Sequence, residues 1–303
     1  MMMKWFKNYQ NSRRMVQNSD KVVLLVGANG LLGSTLGKYL DSYYKVYRCS
    51  LTPSTQNDYN IDITNRENVD FVIKECSPDY IINCSAQTNV DACEEDRGLA
   101  YEVNVVGIKN LLFSSSLDTK IIQISTDYVF DGSKNIYNEK DIPNPINYYG
   151  KTKLEGENLL RSSNRKYIIF RTSVVYNNVH GCFYSWVLNE LRSNNMINVV
   201  DDQISNPTWT WSLSEAIYKS MISNLEGLFH FGGDDVLSRY DFALKIAAKH
   251  DLDLNKINRI STKDLKQKAK RPLNTTLESE KIKTMIEIEH PSIEMVLNTF
   301  INS

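Results

Sequence analysis

A short β-branched run, Val22-Val23-Leu24-Leu25-Val26, passes straight into Gly27-Ala28-Asn29-Gly30-Leu31-Leu32-Gly33. Leu32, Leu36, Tyr39 and Leu40 then recur at helical spacing. Together these read as a buried parallel strand, a glycine turn and a helix. In that context Gly27 permits the tight turn, Gly30 lets backbone approach a pyrophosphate, and Gly33 lets the helix pack closely on the strand. Asn29, Leu31 and Leu32 complete the turn. The helix N-terminus offers unpaired N–H groups and a partial positive charge to an anion. The three-and-three glycine spacing points to the reductase or epimerase type of dinucleotide site. An ordinary glycine turn is the bland alternative, and the flanking strand and helix weigh against it.

The alternation continues along the chain. Strands are expected at Lys45 to Cys49, Tyr80 to Cys84, Lys120 to Ile124 and Tyr167 to Phe170. Helices are expected at Asn65 to Cys76 (capped by Thr64), Leu99 to Ser116 and Tyr149 to Arg161. Strands alternating with helices imply a parallel sheet covered on both faces. The expected fold is therefore α/β: a Rossmann doubly wound parallel sheet with a smaller, mainly helical C-terminal substrate lobe. Residues 1–20 read as a flexible extension and 21–175 as the NAD(P)-binding domain, completed by about 225–235. Residues 176–303 read as a discontinuous substrate-binding lobe, with helices near Phe183–Arg192, Leu213–Ser223, Arg239–His250 and Ser292–Phe300.

Composition narrows the function classes. The 303 residues carry 35 basic and 36 acidic side chains, so a general nucleic-acid coat is excluded. No apolar run reaches the length of a membrane span, and the basic, polar N-terminus lacks the apolar centre of a secretory signal. The five cysteines (Cys49, Cys76, Cys84, Cys93, Cys182) form no Cys-x-x-Cys pair, and with four histidines a zinc site is not expected. Reduced thiols in the cytoplasm are the simplest reading.

Cofactor choice hangs on the end of the second strand, Tyr47-Arg48-Cys49-Ser50. An acidic residue there would grip the ribose hydroxyls of NAD, and none is present. Arg48 and Ser50 suit a 2′-phosphate, so NADPH is expected, with NADH the alternative. Thr126 follows a strand end, where ligands bind in such sheets. Tyr149 and Lys153 sit one turn apart on one helix face. Reduction of a ketone needs a proton on oxygen. Tyr149 can supply it, with its phenol drawn toward neutrality by the Lys153 ammonium. Lys153 would also hold the nicotinamide ribose, and Thr126 would stabilise charge on the substrate oxygen.

Several segments resemble the dTDP-4-dehydrorhamnose reductase family, an extended branch of the short-chain dehydrogenase/reductases. Besides the glycine turn they are Asp62-Ile63-Thr64-Asn65, Pro78 to Asp91 (PDYIINCSAQTNVD), Val103-Asn104, Ile124 to Gly132 (ISTDYVFDG) and Tyr149 to Glu157 (YGKTKLEGE). Arg171-Thr172-Ser173, Asp202-Gln203-x-x-Asn206-Pro207-Thr208 and Lys270-Arg271-Pro272-x-Asn274 complete the set. The resemblance implies a nucleotide-sugar reductase acting on a 4-keto-6-deoxy sugar, for surface polysaccharide or O-antigen synthesis. It implies Asp62 and Ile63 beside adenine, Cys84, Ser85 and Ala86 along the cofactor ribose and phosphates, and Thr126, Tyr149 and Lys153 as the catalytic trio. It further implies Thr88 and Val90 at the sugar and Arg271 on the substrate diphosphate. Similar proteins hold a divalent ion between glutamates at a dimer contact; no such ligands map here, so a divalent metal and a homodimer stay open.

Two departures lie on the substrate side. The family's Arg-Thr-Ser-Trp becomes Arg171-Thr172-Ser173-Val174, and its glycine-rich stretch becomes Asn177 to Phe183. Trp209 and Trp211 are candidates for a replacement platform or for core packing. An epimerase or dehydratase on the same scaffold is the second reading. The third is a non-catalytic regulatory subunit, like the relative that regulates methionine adenosyltransferase; the intact trio argues against it.

Overall fold

The computed structural model describes residues 20–53, 58–179 and 181–301. The extension expected over residues 1–20 therefore lies outside the described residues, apart from Asp20. Seven parallel strands form one sheet: β1 (Val22–Val26), β2 (Lys45–Ser50), β3 (Tyr59–Asn60), β4 (Tyr80–Asn83), β5 (Lys120–Thr126), β6 (Tyr167–Thr172) and β7 (Gly227–Phe231). Their order across the sheet is β7-β6-β5-β4-β1-β2-β3. The chain winds one way from β1 to β3 and the other way from β4 to β7. The reversal between β1 and β4 opens a crevice at the carboxyl edge, the place where ligands bind in open α/β sheets.

The strand sequences are apolar throughout because both faces are covered. On one face Val23 and Leu25 pack against α1 (Leu31–Leu40), with Leu213, Ile217 and Ile282 from later in the chain. On the other, Leu24 and Val26 meet Val69, Val72 and Ile73 of α2 (Arg66–Cys76), and Ile108 and Leu111 of α3 (Gly107–Ser114). The helix Tyr148–Ser162 (α4) closes that side with Leu160. A separate apolar cluster joins helices Phe183–Arg192, Arg239–Lys249 and Ile293–Ile301 with the parallel pair Ile197–Val200 and Ile257–Ile260.

Several boundaries differ from expectation for identifiable reasons. Asn65, not Thr64, caps α2: its side chain accepts from the Asn68 amide. Strand β5 runs on to Thr126, so that residue ends the strand itself. The helix expected over Leu99 to Ser116 is three pieces: Arg97–Tyr101, a π-helical turn Glu102–Val106, and α3. The wide turn faces Asn104 inward, where its amide accepts from the Gln87 N–H at 2.8 Å and donates to the Gln87 carbonyl at 3.1 Å and to Thr152 Oγ1 at 3.0 Å. That side chain pins the loop after β4 to α4. Helix Thr210–Ile222 and β7 bring the C-terminal half back to the sheet, which Glu280–Ile286 also covers.

Phe229 on β7 is 1% exposed and packs near Phe170 of β6. Phe229→Ala is expected to cost about 3–5 kcal/mol, read from chemical denaturation monitored by circular dichroism.

Candidate active site

The crevice at the switch point is a cleft of about 740 Å³. Its floor is the glycine turn. Gly27 sits at φ +79°, and a Cβ there would lie 2.7 Å from the Ser85 nitrogen. The Gly27 and Ala28 amides both donate to the Cys49 carbonyl, at 2.8 and 3.0 Å, fixing the turn to the end of β2. A Cβ on Gly33 would lie 2.2 Å from the Gly27 carbonyl, so Gly33 acts under the turn, by packing. Gly30 is the N-cap of α1 and offers no side-chain cap. The first N–H groups of that helix are thus left to the cleft, and a bulkless cradle with free donors fits a dinucleotide pyrophosphate.

The trio meets on the far side of the cleft, where Thr126, Tyr149 and Lys153 all form wall. Asn147 starts α4 by accepting from the Gly150 amide at 2.8 Å. A Cβ on Gly150 would lie 2.1 Å from the Tyr128 carbonyl, so only glycine lets the first turn of α4 settle on the turn after β5. That contact brings Tyr149 to the cleft wall beside Thr126, whose hydroxyl acts to lower the phenol. Burial pushes the Tyr149 phenol above its usual range. This opposes the downward pull expected from Lys153, and leaves a neutral phenol, the form that can give a proton. Lys153 donates from Nζ to the Ile124 carbonyl at 2.8 Å. Burial lowers its ammonium to about 8, and Glu157 acts against the fall.

The same cleft gathers Asn29, Leu31, Leu32, Ser50, Asp62, Ile63, Cys84, Ser85, Ala86, Thr88 and Val174. Asn29 donates to Ser50 Oγ at 2.9 Å and ties the glycine turn to the end of β2. Asp62 accepts from the Thr64 amide and hydroxyl, at 3.0 and 2.8 Å. Burial pushes the Cys84 thiol up to about 12, so it is an uncharged wall. Val174 is held at φ +42°, a left-handed conformation strained for a β-branched residue.

Three expected site residues stand elsewhere. Arg48 points to α1, with Nη2 2.7 Å from Asp41 Oδ2 and its guanidinium over Gly37. Arg48 and Ser50 share one face of β2, but Arg48 lies two residues short of the carboxyl edge, beside the end of α1, so only Ser50 of the expected pair reaches the cleft. Arg271 is nearly buried and bonds Asp91 Oδ1 at 3.0 Å and the Ala269 carbonyl at 2.8 Å. It clamps the returning chain and is not part of the cleft wall. Val90 opens the helix Val90–Glu95, outside that wall. Trp209 packs toward Phe300, and Trp211 sits edge-on to Tyr39 at 5.1 Å, so neither lines the cleft.

Sequence reasoning assigned no role to Asp127, which follows Thr126 in the quoted motif and lines the cleft. Its buried carboxylate accepts from Ser173 Oγ at 2.7 Å, Thr126 Oγ1 at 3.1 Å and the Thr275 hydroxyl. Ser173 and Thr275 come from distant parts of the chain, and no local spacing announces them. Among the described residues, no group of three or more His, Cys, Asp or Glu is placed to hold a metal. No helix among them is long and apolar enough to cross a membrane.

Comparison with known proteins gives one consistent picture. The family model described as the RmlD substrate binding domain matches residues 21–303. The dTDP-4-dehydrorhamnose reductase of Aggregatibacter actinomycetemcomitans is 35% identical over 88% of this chain and 94% of its own length. Methionine adenosyltransferase 2 subunit beta of Rattus norvegicus is 30% identical over 87% of this chain and 82% of its own. Among solved structures, dTDP-4-dehydrorhamnose reductase of Bacillus anthracis in complex with NADP superposes with a TM-score of 0.86 at 33% identity. It covers 94% of this chain and 99% of that one.

Gly27→Ala adds a Cβ where backbone already stands and strains a left-handed turn. It is expected to weaken NADPH binding at least about tenfold in a fluorescence titration.

Proposed function

This chain belongs to the RmlD substrate binding domain family, and from that membership we propose an NADPH-dependent reductase of the 4-keto group of a nucleotide-diphospho-6-deoxy sugar. The product class suits surface polysaccharide synthesis. The observation that carries the reading is the convergence of Thr126, Tyr149 and Lys153 on one wall of a cleft whose floor is the glycine turn. A regulatory binder has no need of a proton donor beside a dinucleotide cradle.

The residues divide the work. Backbone N–H groups at Leu31 and Leu32 take the pyrophosphate above Gly30, Asp62 and Ile63 flank the adenine end, and Ser50 is left to meet the 2′-phosphate. Cys84, Ser85 and Ala86 follow the middle of the dinucleotide. When bound, the reduced nicotinamide supplies a hydride. Tyr149 gives its phenolic proton to the substrate oxygen, the Thr126 hydroxyl turns from Asp127 to donate to the same oxygen, and Lys153 holds the ribose and steadies the phenolate left behind. Thr88 and Val174 face the sugar side of the cleft. Lacking Arg48 and Arg271, the site holds its anions chiefly with backbone donors and Lys153.

The sheet domain comprises residues 21–175 with the returning segments 210–231 and 280–286, and the remaining C-terminal residues form the substrate lobe. Five free cysteines fit a reducing cytoplasm. A homodimer and the absence of nucleic-acid binding are further parts of the proposal, open to sedimentation and to a DNA-binding assay.

The purified protein is expected to oxidise NADPH when given a dTDP-linked 4-keto-6-deoxy sugar. No turnover across dTDP-, UDP-, GDP- and CDP-linked ketosugars would sink the reading. Tightly retained cofactor without net consumption would favour an epimerase or dehydratase. Tyr149→Phe is expected to lower kcat by about 100- to 10,000-fold while NADPH binds within about twofold of the unaltered protein.

A further inference from the structure

Behind Lys153 lies a buried ionic cluster that the proposed chemistry does not use. Glu157 follows Lys153 by one turn of α4, and its carboxylate is wholly buried. Arg171 of β6 is equally buried and forks it: Nε lies 3.0 and 3.2 Å from the two oxygens, and Nη2 donates to Oε2 at 2.6 Å. The guanidinium rests on the Phe130 ring at 5.1 Å and lies 3.4 Å from His230 Nε2. Ser125 Oγ donates to Glu157 Oε1. Meanwhile Lys153 Nζ donates to the Ile124 carbonyl. An ammonium and a carboxylate from successive turns of one helix thus dock on successive residues of one strand, and the next residue of that strand is Thr126. A buried ion pair is weak as a source of stability. Its seat beside the one lysine of the cleft wall asks for another account.

We propose that Glu157 is a positioning residue for Lys153: its carboxylate, aimed by Arg171 and Ser125, is the counter-charge that keeps the Lys153 ammonium protonated in the cleft and able to hold the cofactor ribose. This rests on the dinucleotide part of the reading above. The other groups around Lys153 cannot take the role. Cys84, after β4, and Cys93, from the helix Val90–Glu95, are thiols that burial pushes up to about 12 and about 11. Tyr149, on the same helix, is a neutral phenol. Asp127, beyond Thr126, is spent on the hydroxyls of Thr126, Ser173 and Thr275. Arg171 stands behind Glu157 and carries the same sign as the lysine. Burial lowers Lys153 to about 8, and Glu157 is the largest influence against it.

The test is NADP+ binding by the full chain, titrated by calorimetry from about pH 6.5 to pH 9.5, with no sugar present. In the unaltered protein affinity should fall as Lys153 loses its proton. In Glu157→Gln the lysine loses its counter-charge and deprotonates sooner, so the midpoint should move down by about one pH unit. Because Glu157→Gln leaves Arg171 unpaired and the variant risks misfolding, Glu157→Gln combined with Arg171→Met removes both charges and should move the midpoint the same way. Glu157→Asp should restore most of the shift. A merely structural role would lower the melting temperature and leave the midpoint of the folded variants in place; that result, or an unaltered protein whose affinity is flat across the range, overturns the proposal. Failure of the sugar-reduction reading leaves this assay intact. Failure of the unaltered protein to bind NADP+ at any pH overturns the cofactor reading and this proposal with it.

Discussion

The docking of α4 on β5 is the contact on which the rest of the site depends. Tyr149 and Lys153 ride on the helix, and Thr126 ends the strand. Their alignment is set by contacts that admit little slack. Gly150 meets the Tyr128 carbonyl, Gly156 faces Ile108 and the Asn104 carbonyl, Lys153 bonds the Ile124 carbonyl, and Glu157 takes the Ser125 hydroxyl. A side chain at Gly150 would lift the helix from the turn after the strand and part the phenol from Thr126, and one at Gly156 would push it off α3 and the π-helical turn. The Glu157–Arg171 pair extends the same clamp to β6, so three elements share one register.

Charge is deployed sparingly. The chain is close to neutral overall. Among the described residues lining the cleft, Lys153 is the one cation. Arg48 is held by Asp41 and Arg271 by Asp91, both of them arginines that look like phosphate ligands on paper. In the proposed site, anion binding falls to the backbone donors of the glycine turn and the start of α1, which carry partial charge without a side chain that could be titrated or screened away. A single buried ammonium then carries much of the electrostatic burden, which makes its protonation worth controlling.

Motifs with a local mechanism were legible in the sequence. The glycine turn follows from bulk and φ at Gly27 and Gly33, and the Tyr149/Lys153 pair from helical spacing. Where a side chain points across the fold was not legible. Arg48 reads as a cofactor ligand until Asp41, at the end of α1, takes its guanidinium short of the sheet's carboxyl edge. Arg271 reads as a diphosphate ligand until Asp91, far away in sequence, takes it. The long helix expected after Leu99 breaks because Asn104 is needed by Gln87 and Thr152, partners in two other segments. Asp127 stands in plain view beside Thr126, yet its partners Ser173 and Thr275 arrive only on folding.

The sequence by itself determined the alternation of strands and helices, the glycine turn and the placing of Tyr149 and Lys153 one turn apart on a helix, because each of these depends on neighbours within a turn or two along the chain. The tertiary structure alone decided which cations remain free, how the phenol and the ammonium are poised, and what stands behind them. Those properties depend on burial and on partners brought from distant segments, and burial is a property of the folded whole.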